Sequence, residues 1–279
     1  MTWNIVCDSS SDLKTAAAED GGVGLIMVPM KITIGDIDYP DDETLNVPQL
    51  LARMKEEKAS SSSACPSPSA FAKAFSLADC TLCFTISSAL SGTYNSAILA
   101  RDLVLEDHPE KKICVIDSKS TAGALVLLAR KSQELIDSDL DFESVCNELR
   151  IYQAALRTVF TLEDYDNLIK NGRMRPLVGN LLHTLGIHVI AEATSQGAIH
   201  VAKKAKGEAK TFRGILELMA ESKDCTGASV VISNCENLSG ALKLKQLILA
   251  ELPVADVTIL PCRGLTTYYA MENGLIVAF

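Results

Sequence analysis

Apolar residues in this chain fall in short runs of strand length, and three of those runs lead into clusters of serine, threonine and aspartate before a helical pattern begins. Ile5-Val6-Cys7 precedes Asp8-Ser9-Ser10-Ser11-Asp12 and a helical stretch from Leu13 to Glu19. Thr81 to Ile86 precedes Ser87-Ser88-Ala89-Leu90-Ser91-Gly92-Thr93-Tyr94 and a helix from Asn95 to Leu105. Lys112 to Ile116 precedes Asp117-Ser118-Lys119-Ser120-Thr121, which caps a long helix from about Ala122 to Asp137. Strand, hydroxyl loop and helix repeated in this way predict an open parallel sheet whose loops gather at the carboxyl edge, where ligands bind.

Between these units, Val23 to Met30 and the alternating Lys31 to Ile34 read as strands, with Gly35-Asp36 turning into Ile37-Asp38-Tyr39. Val47 to Lys58 is an amphipathic helix with Pro48 in its first turn. The serine run Ser60 to Ser63 reads as a short ordered approach to the helix that Ser67 and Pro68 open, the alternative being a flexible linker. Asp141 to Arg157 carries apolar residues at helical spacing and bridges to a second region. There Thr158 to Leu162, a helix from Glu163 to Lys170, a hairpin about Ser195-Gln196-Gly197 and later alternating helices and strands predict a mixed sheet. The expected fold is α/β with two domains: residues 1–152 on a parallel-type sheet, and residues 153–279 on a mixed sheet closing over the ligand.

Free N–H groups and a positive macrodipole at a helix start suit an anion. Ser87, Ser88, Ser91 and Thr93 add donors, and Gly92 permits close backbone approach. No lysine or arginine lies in that loop, which favours a single weakly charged head group, such as a carboxylate, over a polyphosphate. Neither G-x-x-x-x-G-K-[ST] nor G-x-G-x-x-G occurs. Ser91 as the nucleophile of a hydrolase or acyl- or phospho-transfer enzyme is one rival reading, though G-x-S-x-G is missing and His108, His183, His188 and His200 sit in no helpful motif; a binder of another small apolar acid is a further alternative. Arg173 and Arg175, beside Gly172, suit an anion or an acidic partner.

Composition narrows the partners. A net charge of −9 argues against nucleic acid, and the short cluster Lys203, Lys204, Lys206 and Lys210 reads as a solvated face. With 48% hydrophobic residues the 279-residue chain can bury a sizeable core. No apolar run reaches spanning length, and Trp3 to Cys7 follows Met1 without a signal-like segment, so a cytoplasmic setting is expected. Nine cysteines lie mostly inside apolar runs, and Cys80-Thr81-Leu82-Cys83 lacks the second pair a zinc site needs, so no metal is expected.

Together these motifs resemble the DegV family of bacterial fatty-acid-binding proteins. Asp8 to Leu13 is similar to that family's D-S-[ST]-S-D-L, and Ile86 to Tyr94 matches I-S-S-x-L-S-G-T-Y at every fixed position. Asp117-Ser118 with Gly123 resembles the third loop, and Asn171-Gly172-Arg173-Met174 resembles G-G-R-[IM]. The resemblance implies a two-domain protein that encloses one long-chain fatty acid between its domains and presents the carboxylate to a separate fatty acid kinase for acyl phosphate formation and phospholipid synthesis. It implies no turnover and no cofactor of the binder's own.

Carried onto this chain, the resemblance assigns Ser91 and Gly92 to the carboxylate, with Thr93 and Ser10 beside them, and Ser63 to the place of a threonine hydroxyl in T-S-x-P-S; Ala64 replaces that segment's serine. Arg173 matches an arginine that engages the kinase, and its turn is expected outside the hydroxyl loops. The family's K-x-R-G reads Lys204-Ala205-Lys206-Gly207. Its T-H-x-G-P-G reads Tyr268 to Asn273, so Tyr269 stands where the family has histidine.

Overall fold

The computed structural model describes residues 1–16, 22–56, 60–175 and 186–279. In chain order the first half runs β1 (Trp3–Asp8), β2 (Gly24–Val28), β3 (Lys31–Ile34), β4 (Ile37–Pro40), α1 (Val47–Glu56), β5 (Ser61–Ala64), α2 (Pro68–Phe75), β6 (Cys80–Thr85), α3 (Thr93–Asp107), β7 (Lys112–Asp117), α4 (Gly123–Ile136) and α5 (Phe142–Ala155). The second half runs β8 (Thr158–Leu162), α6 (Asp166–Lys170), β9 (Ile187–Ala193), β10 (Ile199–Lys206), α7 (Glu208–Ser222), β11 (Ser229–Asn234), α8 (Leu238–Glu251), β12 (Asp256–Pro261), α9 (Gly264–Ala270) and β13 (Leu275–Ala278).

The first sheet is parallel in the order β2-β1-β6-β7. Its central strands β1 and β6 are mostly apolar and buried from Asn4 to Asp8 and from Cys80 to Thr85, because both faces are covered. Alternate residues serve opposite cores: Ile5, Cys7, Leu82 and Phe84 meet Leu125 of α4 and Val145 of α5, while Val6 and Cys83 meet Phe71 and Phe75 of α2 and Ala97 of α3. The same alternation places Cys80 and Cys83 on opposite faces of β6, so this C-x-x-C pair cannot chelate one ion. Ser67 caps α2 as expected, its hydroxyl accepting from the Ala70 N–H.

The second sheet is mixed, β10-β9-β8-β13-β11-β12, with only β11 and β12 parallel. Its outer face is covered by α7 and α8 through Phe212, Ile215, Leu244 and Ile248. Helix α4 packs on the other face as well as on the first sheet. Gly123 makes this possible, since a Cβ there would stand 2.8 Å from the Val231 side chain. The chain passes from one sheet to the other after α5, and the division expected after residue 152 falls inside that helix.

Several expectations are corrected. Leu13 to Ala16 form no helix: Asp12 takes a left-handed backbone after a 3-10 turn at Ser9–Ser11, and Ala16 bridges Leu25; the rest of the expected helix lies outside the described residues, as does the end of the one expected to reach Lys58. The Ser60 to Ser63 run is neither approach nor linker. It contains β5, which pairs antiparallel with β3 in a third sheet ordered β4-β3-β5. Ser61 and Ser63 face inward and Ser62 outward. The hydroxyl loops before α3 and α4 do not cap them either, because Gly92 and Ala122 are the N-caps and no side chain bonds there. Glu163 to Tyr165 stay outside α6, with the Asp164 carboxylate accepting from the Asp166 N–H. Helix α9 was not foreseen at all.

Three carboxylates are buried where the halves meet. Asp8 accepts from the N–H groups of Ile86 (2.6 Å) and Ser10 (2.9 Å), Asp12 from that of Arg263 (2.8 Å), and Asp41 from those of Gly264 (3.0 Å) and Leu265 (2.8 Å). Burial outweighs these bonds and pushes Asp8 and Asp12 up to about 6, and raises Asp41 as well. The folded chain therefore holds these protons more tightly than the unfolded one. For Asp8 and Asp12 the resulting contribution to stability is present in full below about pH 4 and is lost as pH rises through about 6. Unfolding by urea should thus show wild type gaining about 1 kcal/mol relative to Asp8→Asn between about pH 7.5 and pH 5; an unchanged difference would place the Asp8 carboxyl at its ordinary value.

Candidate functional site

The three hydroxyl loops are tied into a ring. The Asp8 carboxylate holds Ile86, the Ser87 N–H donates to the Ser120 carbonyl at 2.8 Å, and the Ala122 N–H donates back to the Ser10 carbonyl at 2.8 Å. Ala122 pays for this closure with a positive φ of 53°. The second half joins the ring where the Ser87 hydroxyl donates to the Gly197 carbonyl at 2.8 Å. A side chain on Gly197 would collide with that hydroxyl.

Above the ring lies a cavity of about 800 Å³, its open mouth included, between the first-half loops, α9 and the inner face of the second sheet. The wall is mostly apolar, with Phe160, Leu162, Leu168, Ile199 and Ile276 from the second half. The polar side chains on it include Ser63, Ser91, Tyr269 and Arg173, together with Ser120 and Thr158, whose hydroxyls pair at 2.6 Å. A mostly apolar cavity with a few polar groups is the form of a site for an amphipathic small molecule.

Helix α9 assembles this polar group. Its first N–H groups are held by Asp12 and Asp41, and a Cβ on Gly264 would run into the Asp41 carboxylate. The Arg263 guanidinium donates to the Asp42 carbonyl and pairs with Glu43 at 3.5 Å. At its other end Tyr268 donates its hydroxyl to Ser61 at 2.9 Å and accepts from Asn171 at 2.9 Å. The Tyr269 and Ser63 hydroxyls stand 2.8 Å apart. Burial pushes the Tyr269 phenol up, against the Ser63 hydrogen bond and the nearby Arg173 charge. Tyr269 is neutral at neutral pH and can turn its hydroxyl to an acceptor.

Ser63, Ser91, Tyr269 and Arg173, expected at two different sites, meet on one wall. Arg173 is the largest departure: it does not stand outside the hydroxyl loops but donates Nε to the Leu90 carbonyl at 3.0 Å and Nη1 to the Asn171 carbonyl. The Asn171-Gly172-Arg173 turn permits this, with Gly172 at φ 74° and the Arg173 N–H donating to the Leu168 carbonyl. Ser10, Gly92 and Thr93, expected at the ligand, are not among the residues that line the cavity. Ser10 closes the loop ring, Gly92 caps α3 beside the Cys65 sulfur, and the Thr93 hydroxyl positions that of Ser91 at 2.8 Å. Among the described residues the Ser91 hydroxyl meets that of Thr93 and no imidazole. His183 lies outside the described residues. Ser120 was anticipated only as a member of the third hydroxyl loop, and Asp41, Thr158 and Phe160 not at all; Pro40-Asp41-Asp42 read only as a turn, and nothing in its sequence announces a partner 223 residues away.

Residues 2–275 match the sequence profile of the family described as uncharacterised protein, DegV family. The chain belongs to the DegV family. A DegV domain-containing protein of Streptococcus pneumoniae is 35% identical over all of this chain and 99% of its own. Among solved structures, the Streptococcus pneumoniae fatty acid kinase B3 protein loaded with linoleic acid is 35% identical and superposes with a TM-score of 0.95 over 100% of this chain and 99% of its own. A DegV protein of Eubacterium eligens loaded with heptadecanoic acid is 31% identical, with a TM-score of 0.93 over 99% of each chain. The parallel first sheet and mixed second sheet are thus the DegV two-domain α/β fold, and both of these solved relatives hold a fatty acid. No helix among the described residues is long and apolar enough to cross a membrane.

The Ser63–Tyr269 contact joins residues 206 apart in sequence. A double-mutant cycle with Ser63→Ala and Tyr269→Phe in the ligand-free protein should give a coupling energy of about 0.5–1.5 kcal/mol in denaturant unfolding, the worth of a partly buried neutral hydrogen bond. Additive costs would mean the two hydroxyls do not meet.

Proposed function

We propose that this protein binds one long-chain fatty acid in the cavity between its halves, carboxylate toward Ser63, Ser91, Tyr269 and Arg173, and presents that head group to a fatty acid kinase. The observation that carries the reading is that the Ser63, Ser91 and Tyr269 hydroxyls and the Arg173 guanidinium share the wall of a mostly apolar cavity. A carboxylate accepts from each of these groups, and charge-assisted bonds are about twice as strong as neutral ones. Burying the tail contributes about 0.8 kcal/mol per methylene, enough for tight binding after the losses on immobilisation. The acids held by the pneumococcal and Eubacterium relatives support the ligand class, and the kinase in the pneumococcal relative's name supports the partner. On this reading the chain is the carrier and the chemistry belongs to the partner, with the Ser91 hydroxyl, paired to that of Thr93, serving to bind.

Organic extraction of purified protein followed by mass spectrometry should recover a long-chain acid near one per chain. Delipidated protein that binds no acid from C12 to C20 in calorimetry would refute the proposal.

Because Arg173 lines the cavity, its charge is assigned to the acid as well as to the partner. Arg173→Ala should weaken fatty acid binding by about 1.5–3 kcal/mol, roughly 10- to 150-fold, and leave binding of the matching methyl ester nearly unchanged. Unchanged acid binding with loss of acyl phosphate formation alone would restrict Arg173 to the kinase.

A further inference from the structure

Two thiols meet outside the cavity wall. Cys235 follows β11 and Cys262 follows β12, the parallel pair in which Asn234 is the register partner of Pro261. The pairing continues past these residues: the Cys262 N–H donates to the Asn234 carbonyl at 2.8 Å, and the Cys235 N–H donates to the Gly274 carbonyl at 3.0 Å on the other side. Cys235 and Cys262 are therefore lateral neighbours on one face of the sheet. Adjacent strands lie about 4.7–4.9 Å apart, inside the roughly 4.4–6.8 Å that Cα atoms span in disulfides.

Both side chains are buried from bulk water, at 2% and 6% exposure. Both nevertheless line a second cleft, with Glu236, Leu238 and Thr267 around them. The two sulfurs are unequal. A hydrogen bond from Cys262 draws the Cys235 thiol below its ordinary value, whereas burial pushes Cys262 well above. Such inequality suits one sulfur to attack and the other to follow.

We propose that Cys235 and Cys262 form a reversible redox pair, converted to a disulfide by a hydroperoxide that enters the second cleft. The Cys235 thiolate attacks the terminal peroxide oxygen. The S–O bond forms, the O–O bond breaks, and the departing alkoxide or hydroxide takes up the proton that Cys235 released. The Cys262 sulfur then attacks the sulfenic sulfur of Cys235. The S–S bond forms, the S–O bond breaks, and hydroxide leaves with the Cys262 proton as water. The two thiols lose two electrons and the peroxide gains them; a dithiol reductant reverses the change.

The other sulfurs provide internal controls. Cys65 is exposed, Cys80 and Cys83 lie on opposite faces of β6, and Cys114 and Cys146 lie together in the first core with Arg150 Nη2 3.6 Å from the Cys114 sulfur. Full-length Cys65→Ser protein, which cannot cross-link through its exposed thiol, is treated with hydrogen peroxide under native conditions. Remaining thiols are then alkylated and the chain digested for mass spectrometry. The expected product is a peptide pair linked through Cys235 and Cys262, lighter by two hydrogens and separated by dithiothreitol. Cys262→Ser in the same background should leave Cys235 as a sulfenic acid that dimedone captures. A Cys114–Cys146 link in its place, or Cys235 and Cys262 both recovered as free thiols after peroxide has oxidised other residues, would overturn the proposal.

Discussion

The site depends on one interaction, the grip of two buried carboxylates on the start of a short helix. Asp12 and Asp41 belong to the first half, and Arg263, Gly264 and Leu265 open α9 in the second. A seven-residue helix has little stability of its own, because few hydrogen bonds form for the backbone order required. Its free N–H groups and the positive end of its dipole are what the carboxylates satisfy. Burying the carboxylates costs several kcal/mol unless such donors are present, so helix and acids stabilise one another across the joint. From this anchor Tyr268 reaches Ser61 and Asn171, and Tyr269 reaches Ser63. Strand β5, the Arg173 turn and the cavity wall are positioned together.

The parallel sheet was legible because its strands are continuous apolar runs and its loops are rich in hydroxyls, signals that are local. The loop convergence was legible for the same reason. The serine run was misread because four serines have low strand propensity and resemble a linker. What makes β5 a strand is the β3 edge, with Ile32 opposite Ser63, and the inward alternation of Ser61 and Ser63 toward two tyrosines. Propensity was overridden by tertiary pairing. Helix α9 escaped because Gly264-Leu265-Thr266-Thr267-Tyr268-Tyr269-Ala270 is too short to show a period and carries no side-chain cap of its own; its caps come from far upstream.

In the candidate site, Ser63, Ser91 and Tyr269 were recognisable one by one, but their company was not. Arg173 was expected to serve another molecule because it lies in the other half of the chain, yet the turn at Gly172 aims it at Leu90. Thr93, in the motif of Ser91, and Ser10, in the first hydroxyl motif, act through a hydroxyl contact and a backbone contact and do not line the cavity. Sequence motifs mark the neighbourhood of a site; which side chain faces the ligand is set by geometry that no local window contains.

The order of strands in the second sheet bears on when this protein can first function during its synthesis. Strand β13, the last in sequence, lies in the interior of that sheet between β8 and β11, and α9 immediately precedes it. A nascent chain that has emerged only as far as β12 has the hydroxyl loops but lacks Tyr269 and the strand that closes the second sheet. Contacts of such long sequence separation form late, because the intervening chain must be ordered first. The cavity therefore has both its walls only once α9 and β13 have emerged, and under the proposed function the fatty acid can be enclosed no earlier than that.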